Sequence, residues 1–176
     1  MKKNVVPAVL VVGLLATLVA QAKLAGSGGD VRFSASGPGG LKIVGTTGDI
    51  SVKDDGTTVT VVVPLANLDT GIGLRNKHMR EKYLEVAKYP NAELTVSRAA
   101  LKLAEGSGTA AGTMKIHGQS HAVNFAYSAK RSGSGYAVDG TVHLDIHDYG
   151  IEVPSYLGVT VKPEIDVVAR FVAVDN

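Results

Sequence analysis

Apolar and polar residues alternate along most of this chain, which is the pattern of β-strands that bury one face. Val59, Val61 and Val63 stand at every second position, and Asp54-Asp55-Gly56 just before them is a strong hairpin signal. Similar alternation, separated by turns that contain glycine or proline, recurs in residues 31–36, 41–46, 49–53, 92–98, 110–117, 121–130, 136–147 and 164–174. The pattern predicts eight or nine strands.

One segment breaks this alternation. Met79, Tyr83, Val86 and Ala87 recur at intervals of three and four, and charged residues, among them Arg80, Glu81, Lys82 and Glu85, fill the other faces. Pro90 disfavours helical geometry at the residue ahead of it. The segment therefore predicts a short amphipathic helix, over about residues 74–87, inserted among the strands.

Strands at regular spacing, each with one apolar face, form either a β-sandwich or a closed barrel, and the spacing alone does not choose between them. The candidate inward faces are Val59, Val61 and Val63; Val123, Phe125 and Tyr127; Val142, Leu144 and Ile146; and Val167, Ala169 and Phe171. An antiparallel barrel of about eight strands is wide enough to hold one small ligand. These faces suit a lumen open to a ligand and an ordinary packed core equally well.

Length and composition favour one all-β domain. The chain has 176 residues, of which 45% are hydrophobic, enough for a single core. Its 21 glycines and its aromatic content of only 5% indicate many turns and an aliphatic interior. The sequence contains no cysteine, which excludes disulfides, thiolate metal sites and a cysteine nucleophile.

The first 22 residues have the pattern of a secretory signal peptide: Lys2 and Lys3, an apolar run, and the small-x-small sequence Ala20-Gln21-Ala22. An uncleaved membrane anchor is the alternative, although the run is short for a span of about 20 residues. We expect cleavage, a flexible lead-in over residues 23–29, and one domain over residues 30–176. The mature protein would then be periplasmic or secreted; without cleavage it would be anchored in the inner membrane.

Lys2 and Lys3 account for the formal net charge of +2, so the predicted mature domain is nearly neutral. Without a basic cluster there is no electrostatic basis for binding nucleic acid, and that class of partner is excluded.

His143, Asp145 and His147 occupy alternate positions of a predicted strand and would share one face. Such a face can supply ligands to zinc, although the three residues span about 13 Å at ~3.3 Å per residue, which a single ion bridges only if the strand bends. A solvated outer face of a barrel strand has the same pattern. Nucleotide-binding and serine-hydrolase motifs are absent from the sequence. We therefore predict a protein that is not an enzyme, without a metal or a cofactor, and keep a metal-dependent envelope enzyme that uses these three residues as the alternative.

Six short motifs stand out from the strand pattern. They are Leu68-Asp69-Thr70-Gly71, Arg75-Asn76-Lys77-His78-Met79, Lys88-Tyr89-Pro90, Gly112-Thr113-Met114-Lys115-Ile116-His117-Gly118, Ala122-Val123-Asn124-Phe125 and Asp148-Tyr149-Gly150-Ile151. In order and spacing, over most of residues 30–174, they resemble the YceI-like, polyisoprenoid-binding family. Asn76 departs from that family, which usually has Asp at this position.

The resemblance implies an all-β, antiparallel, eight-stranded lipocalin-like barrel whose helical segment is an insertion. It also implies that the lumen binds a long-chain apolar lipid, such as a polyisoprenoid, an isoprenoid quinone, or a fatty acid or amide, and carries or sequesters it in the cell envelope. The residues expected to contact the lipid are Val61, Val63, Arg75, His78, Met79, Tyr83, Leu84, Phe125, Tyr127, Leu144 and Phe171.

Two roles stay open for the helical part of this set. Arg75 and His78 would either meet a polar headgroup at the mouth of the barrel or anchor the helix to neighbouring loops. Met79, Tyr83 and Leu84 would face inwards, either against a ligand or as a plain plug. A transient membrane contact and a homodimer are the other partners that this interpretation allows, and a ligand-free structural or partner-binding envelope domain is a further alternative.

Overall fold

A computed structural model describes residues 23–156 and 158–175 of the chain. The predicted signal peptide lies outside the described residues. The strands are β1 Leu24–Ser27, β2 Gly29–Ser36, β3 Lys42–Thr47, β4 Ser51–Asp54, β5 Thr58–Pro64, β6 Asn91–Ser97, β7 Ser107–Ile116, β8 Gln119–Ser132, β9 Gly135–Asp145, β10 Ser155–Tyr156, β11 Val159–Thr160 and β12 Glu164–Asp175. One α-helix, α1, spans Gly73–His78, and a π-helical turn, Met79–Tyr83, follows it directly.

The main sheet closes into an antiparallel barrel. Its strands follow the order β1-β4-β5-β6-β7-β8-β9-β12, and β12 also pairs with β1, which completes the circle. β2 continues β1 and β3 leads into β4, so each of these pairs is one bent strand of the wall, while β10 and β11 form a separate hairpin. The wall therefore has eight strands, which confirms the predicted lipocalin-like architecture.

The bend between β1 and β2 lies at Gly28, whose φ of 77° is in the left-handed region that glycine adopts at little cost. The inward face moves from even positions before it, such as Leu24, to odd positions after it, such as Val31, and both side chains are buried.

The lead-in predicted over residues 23–29 is wrong, because Leu24–Ser27 is a strand and the fold begins there. This strand pairs with β12 on one edge and with β4 on the other. Its sequence has no alternation, so its stability comes from these cross-strand hydrogen bonds, which local pattern does not reveal.

Strand register confirms most of the predicted inward faces. Phe125 lies opposite Val142, Val142 opposite Val167, and Val167 opposite Phe33, which places these side chains in one row across four strands. Ile146 differs, because β9 ends at Asp145 and Ile146 begins a 3₁₀ turn.

Glycines in the wall let aromatic rings lie flat against it. A Cβ at Gly45 would stand 2.0 Å from Cε1 of Phe33, its cross-strand neighbour, so the ring occupies the place of a side chain there. Tyr127 covers Gly108 in a similar way. Such ring-on-glycine contacts curve a sheet without opening a gap in it.

The helical segment is confirmed in place and shorter than predicted. Regular α-helix stops at His78, and the π-helical turn ends at Tyr83 instead of continuing to Ala87. Glu85 then has a φ of 43°, a left-handed conformation that ends the helix and is unfavourable for a residue with a Cβ. The described helices are all too short to span a bilayer.

The two ends of the barrel are built differently. At one end, here called the plugged end, the connection 98–106 between β6 and β7 runs across the strand ends. At the other, here called the helix end, lie the connections 37–41, 65–90, 117–118 and 146–163. The helical segment belongs to the second of these.

Candidate functional site

The barrel interior contains both buried and half-buried apolar side chains. Phe125, Tyr127 and Leu144 on β8 and β9 are buried members of the apolar core. Val167 and Phe171 on β12 also point inwards and pack against that core, but they are half-buried. The next strands around the wall, β2, β3 and β5, carry further half-buried inward side chains, namely Phe33, Ile43, Val61 and Val63. These half-buried side chains are the candidate contacts for an apolar ligand.

The plugged end is sealed by a buried ion pair. The Asp54 carboxylate, which has no exposed surface, accepts from Arg98 Nε at 2.9 Å, and the Arg98 side chain is only 16% exposed. Asp54 also accepts from the backbone N–H groups of Leu24 and Gly56. Leu103, from the connection 98–106, is buried in the core. These contacts close the plugged end, and we call them the floor of the barrel.

Tyr127 contributes to the same floor. Its hydroxyl accepts a hydrogen bond from the backbone N–H of Lys102 at 2.7 Å, within the connection that crosses the plugged end. The ring is thus anchored at the plugged end of the barrel interior.

Two chain segments cover the helix end. Tyr83 and Leu84 come from the end of the helical segment, and Tyr149 and Ile151 come from the connection between β9 and β12; all four join the apolar core. Burial and the nearby Asp148 carboxylate raise the pKa of the Tyr149 phenol above its ordinary value of 10.0. The phenol is therefore neutral at physiological pH and suits an apolar cover.

His117 holds the two covering segments together. Its Nε2 lies 2.7 Å from Glu85 Oε2 and its Nδ1 lies 3.1 Å from the carbonyl oxygen of Tyr149. Both partners are acceptors, so only the doubly protonated ring donates to both. The Tyr89 ring packs edge-on against His117 with 4.6 Å between centroids. We call His117, Glu85 and the Tyr149 carbonyl the latch.

The backbone at the latch is unusual at two points. Glu85 and His117 both have positive φ values, 43° and 51°, and left-handed conformations of non-glycine residues concentrate at functional sites. The π-helical turn just before Glu85 is another rare feature that is frequent at such sites. The cover therefore combines apolar burial with two strained residues and the polar contacts of the latch.

Asn76 fixes the start of the helix. It is buried, and its Oδ1 accepts from the backbone N–H and the hydroxyl of Thr70 at 2.8 and 2.6 Å. Its Nδ2 donates to the carboxylate of Asp69, which also accepts from Gly71 N–H. These bonds lower the pKa of Asp69 below 3.8, the Gly71 N–H most of all. Asp in place of Asn76 could not donate this bond while ionised.

The structure separates the predicted lipid-contact residues into two groups. The larger group joins one continuous apolar core and comprises Val61, Tyr83, Leu84, Phe125, Tyr127, Leu144 and Phe171. Val63, which faces the lumen near the helix end, and Met79 are half-buried. His78 is exposed.

Arg75 has an anchoring contact. Its Nε donates to the Thr70 hydroxyl at 2.8 Å and its guanidinium also donates to the Thr70 carbonyl. Of the two roles considered for this residue, the geometry shows the anchoring of the helix to the preceding loop.

The predicted polar face on β9 does not converge on one point. His143 pairs with Asp166 at 2.8 Å, whereas His147 lies beyond the strand in the 3₁₀ turn and pairs with Asp145 at 3.3 Å. In residues 23–156 and 158–175, no group of three or more His, Asp or Glu side chains is arranged to hold a metal ion. His143 and Asp166 instead line an open depression of about 810 Å³ on the outer wall.

Sequence reasoning missed the latch. The dipeptide His117-Gly118 between two alternating runs is a two-residue turn signal, since both positions take positive φ. Nothing local marks Glu85 or Tyr149 as its partners, which are each 32 residues away. The Asp54–Arg98 pair was also missed, because its members are 44 positions apart and no local pattern connects them.

Comparison with known proteins gives a consistent result. The family model of the YceI-like domain matches residues 23–173. No curated protein matches the chain. A solved polyisoprenoid-binding domain from Saccharophagus degradans, implicated in plant cell wall breakdown, is 17% identical, with a TM-score of 0.71, and covers 89% of this chain and 99% of its own.

Two further structures share the fold. BcnA of Burkholderia cenocepacia is 18% identical, with a TM-score of 0.64, over 82% of this chain and 96% of BcnA. A YceI protein of Campylobacter jejuni is 16% identical, with a TM-score of 0.56, over 75% of this chain and 84% of that protein. With a family model that spans nearly all of the described residues and a barrel common to these structures, the chain belongs to the YceI-like domain family.

Proposed function

We propose that this protein binds one long-chain apolar lipid, such as a polyisoprenoid, an isoprenoid quinone or a fatty chain, inside its barrel and carries or sequesters it without chemical change. The observation that carries the proposal is the half-buried inward wall from β12 to β5, with Val167 and Phe171 on it. Burial of apolar surface contributes roughly 25 cal/mol per Å², so a long chain laid along this wall gains affinity with each added carbon.

The closed floor and the covered helix end support this proposal. A ligand that enters past the helical cover would have its tail near Tyr127, at the floor, and its head near the latch. The solved domain from Saccharophagus degradans is described as polyisoprenoid-binding, which favours a prenyl chain over other apolar ligands. The apolar run of residues 1–22 favours export, and the protein would act in the periplasm or outside the cell.

Native mass spectrometry of the protein purified from exporting cells, followed by organic extraction, tests the proposal. We expect a copurified prenyl or acyl lipid and a mass that begins at Lys23. A protein that carries no lipid and does not bind added prenyl or acyl lipids would overturn the lipid-binding function.

A matched pair of variants locates the ligand. Ala169 faces the lumen and Val168, its neighbour, faces outwards, as their strand partners show. Ala169→Phe adds a large side chain to the inward face of β12 and should lower lipid occupancy, whereas Val168→Phe adds it to the outward face and should leave occupancy unchanged. Val167→Leu, a smaller change at the same wall, serves if Ala169→Phe does not fold. Equal lipid occupancy in folded variants of both kinds would place the ligand outside the lumen.

A further inference from the structure

Exposed apolar side chains are concentrated at the helix end of the barrel. Six large apolar side chains in the described residues are exposed, and four of them lie in connections at this end: Leu41, Ile72, Leu74 and Val159. The other two, Val172 and Val174, lie on the outer wall of β12. At the plugged end, the two leucines of the connection 98–106 are covered instead, Leu103 buried and Leu101 half-buried.

The most exposed of these residues form a tip just before α1. Ile72 is 52% exposed and Leu74 is 56% exposed, on either side of Gly73. Gly71, with a φ of 77°, turns the chain into this tip. We call the segment 71–74 the apolar tip.

Basic residues follow the apolar tip directly. The helix contains Arg75, Lys77 and His78 and has no acidic residue in its first turn. Lys77 is exposed. Asp69, the carboxylate that precedes the tip in the sequence, accepts from the Gly71 N–H and the Asn76 amide, and the next carboxylate, Glu81, follows Lys77 by four positions.

The other exposed apolar residues at this end have the same arrangement. Lys42 follows Leu41, and Lys162 comes three residues after Val159. The backbone N–H of Lys162 donates to Ser36 O at 2.7 Å, and Leu41, Lys42 and Lys162 border one depression. Glu164 and Asp166 line the same depression from β12. Each exposed apolar residue at this end therefore has a cation within three residues after it, which the Val172 and Val174 pair on the wall lacks.

Apolar side chains beside lysine and arginine match the chemistry of an anionic bilayer surface, where acyl chains lie just beneath phosphate groups. We propose that the helix end docks on an anionic membrane, with Ile72 and Leu74 inserted below the headgroups and Lys77, Lys42 and Lys162 at the phosphates. The inference rests on the proposed function and names its partner, because docking in this orientation turns the cover and latch toward the bilayer from which a lipid would enter. Neither a second copy of this chain nor a partner protein requires this pairing of apolar and basic residues.

A tryptophan reporter tests this orientation, since the sequence has no Trp. Leu74→Trp places the reporter at the apolar tip and Val172→Trp places it at an equally exposed position on the wall. On addition of vesicles that contain phosphatidylglycerol, the emission of Trp at 74 should shift to the blue and become protected from acrylamide, with a smaller effect for pure phosphatidylcholine vesicles and at high salt. Trp at 172 should not respond.

Three results would overturn the proposal. One is a Trp at 74 that stays quenchable while the protein sediments with vesicles, which would mean attachment through another part of the chain. Another is an equal response at position 172. The third is a blue shift at 74 that grows with protein concentration without vesicles, which would mean association between copies.

Removal of the tip measures its contribution. Ile72→Ser combined with Leu74→Ser should weaken binding to phosphatidylglycerol vesicles by about tenfold or more, as expected when two partly inserted aliphatic side chains are lost. Val172→Ser combined with Val174→Ser is the matched control and should not change it. Lipid extracted from the native protein separates the two proposals: bound lipid in a native protein that does not dock on the vesicles refutes only the membrane contact, whereas a native protein that docks but contains and binds no lipid refutes only the carrier.

Discussion

The two ends of this barrel are both closed, but the interactions that close them differ. The plugged end uses an ion pair removed from solvent, three further hydrogen bonds to Asp54 and Tyr127, and a connection whose Leu103 enters the core. The helix end uses a strained, partly exposed latch and segments whose apolar tips remain in solvent. Under the lipid-binding function that we propose, the cover has to open and the floor does not, so this difference assigns ligand entry to the helix end.

The largest effect should come from breaking the floor. Asp54→Ala leaves the mostly buried Arg98 guanidinium and the backbone N–H of buried Leu24 without their acceptor, along with the exposed N–H of Gly56, and we expect a loss of about 3–5 kcal/mol of unfolding free energy. Urea unfolding monitored by circular dichroism measures it. Asp30→Ala, which removes the exposed partner of Arg170, is the control and should cost about 0–1 kcal/mol. A similar small loss for Asp54→Ala would mean that the floor is not held by this pair.

Removal of the Asn76 side chain should have an intermediate effect. Asn76→Ala deprives the Thr70 N–H and hydroxyl of their acceptor near the start of α1, and we expect a loss of about 1–3 kcal/mol. Asn67→Ala, which removes an exposed hydrogen bond to Asp49 in the same connection, should change stability by less. If both variants had equal stability, Asn76 would not be the anchor of the helix.

The latch should matter little for global stability and much for opening. His117→Ala removes the bond to Glu85 and the bond to the Tyr149 carbonyl, and we expect a loss of about 1 kcal/mol together with faster amide exchange in residues 79–90. Amide exchange in residues 98–106, at the plugged end, should not change. His78→Ala is the control, because His78 is an exposed histidine in the connection 65–90 that contains Glu85. Faster exchange at both ends alike would contradict a local role of the latch.

The smallest predicted effect is on the loss of stability at acidic pH. Folding lowers the pKa of Asp69 at the helix end, through the Gly71 N–H and the Asn76 amide, and of Asp55 at the plugged end, through the Thr57 and Thr58 N–H groups. A carboxylate whose pKa is lowered by folding stabilises the protein above its ordinary value of 3.8, and this contribution disappears as the pH falls through the lower folded value.

Asp69→Asn and Asp55→Asn should therefore each flatten the loss of stability below about pH 4, while the difference from the native protein shrinks toward low pH. Urea unfolding at a series of pH values from neutral to acidic measures this. An unchanged pH slope in either variant would show that its carboxylate has the same pKa in the folded and unfolded chain.

Much of the barrel wall was predictable because it depends on patterns within a few neighbouring residues. Alternation at Val59, Val61 and Val63 fixes which side of β5 faces inwards, and Asp54-Asp55-Gly56 fixes the turn before it. The helix was predictable in place from its three- and four-residue spacing, but not in length, since the left-handed Glu85 that ends it is held by a contact with His117. The strand Leu24–Ser27 was not predictable, since its only support is pairing with β4 and β12.

Side-chain periodicity and turn chemistry act over a few residues, so the amino-acid pattern was enough to predict most of the strands and inward faces, the inserted helix and the likeness to the YceI-like family. The tertiary structure alone decided that the sheet closes as a barrel, since closure depends on the pairing of β1 with β12 from opposite ends of the described chain. It also decided which end is floor and which is cover, since Asp54 meets Arg98 and Glu85 meets His117 only after the strands between them have paired.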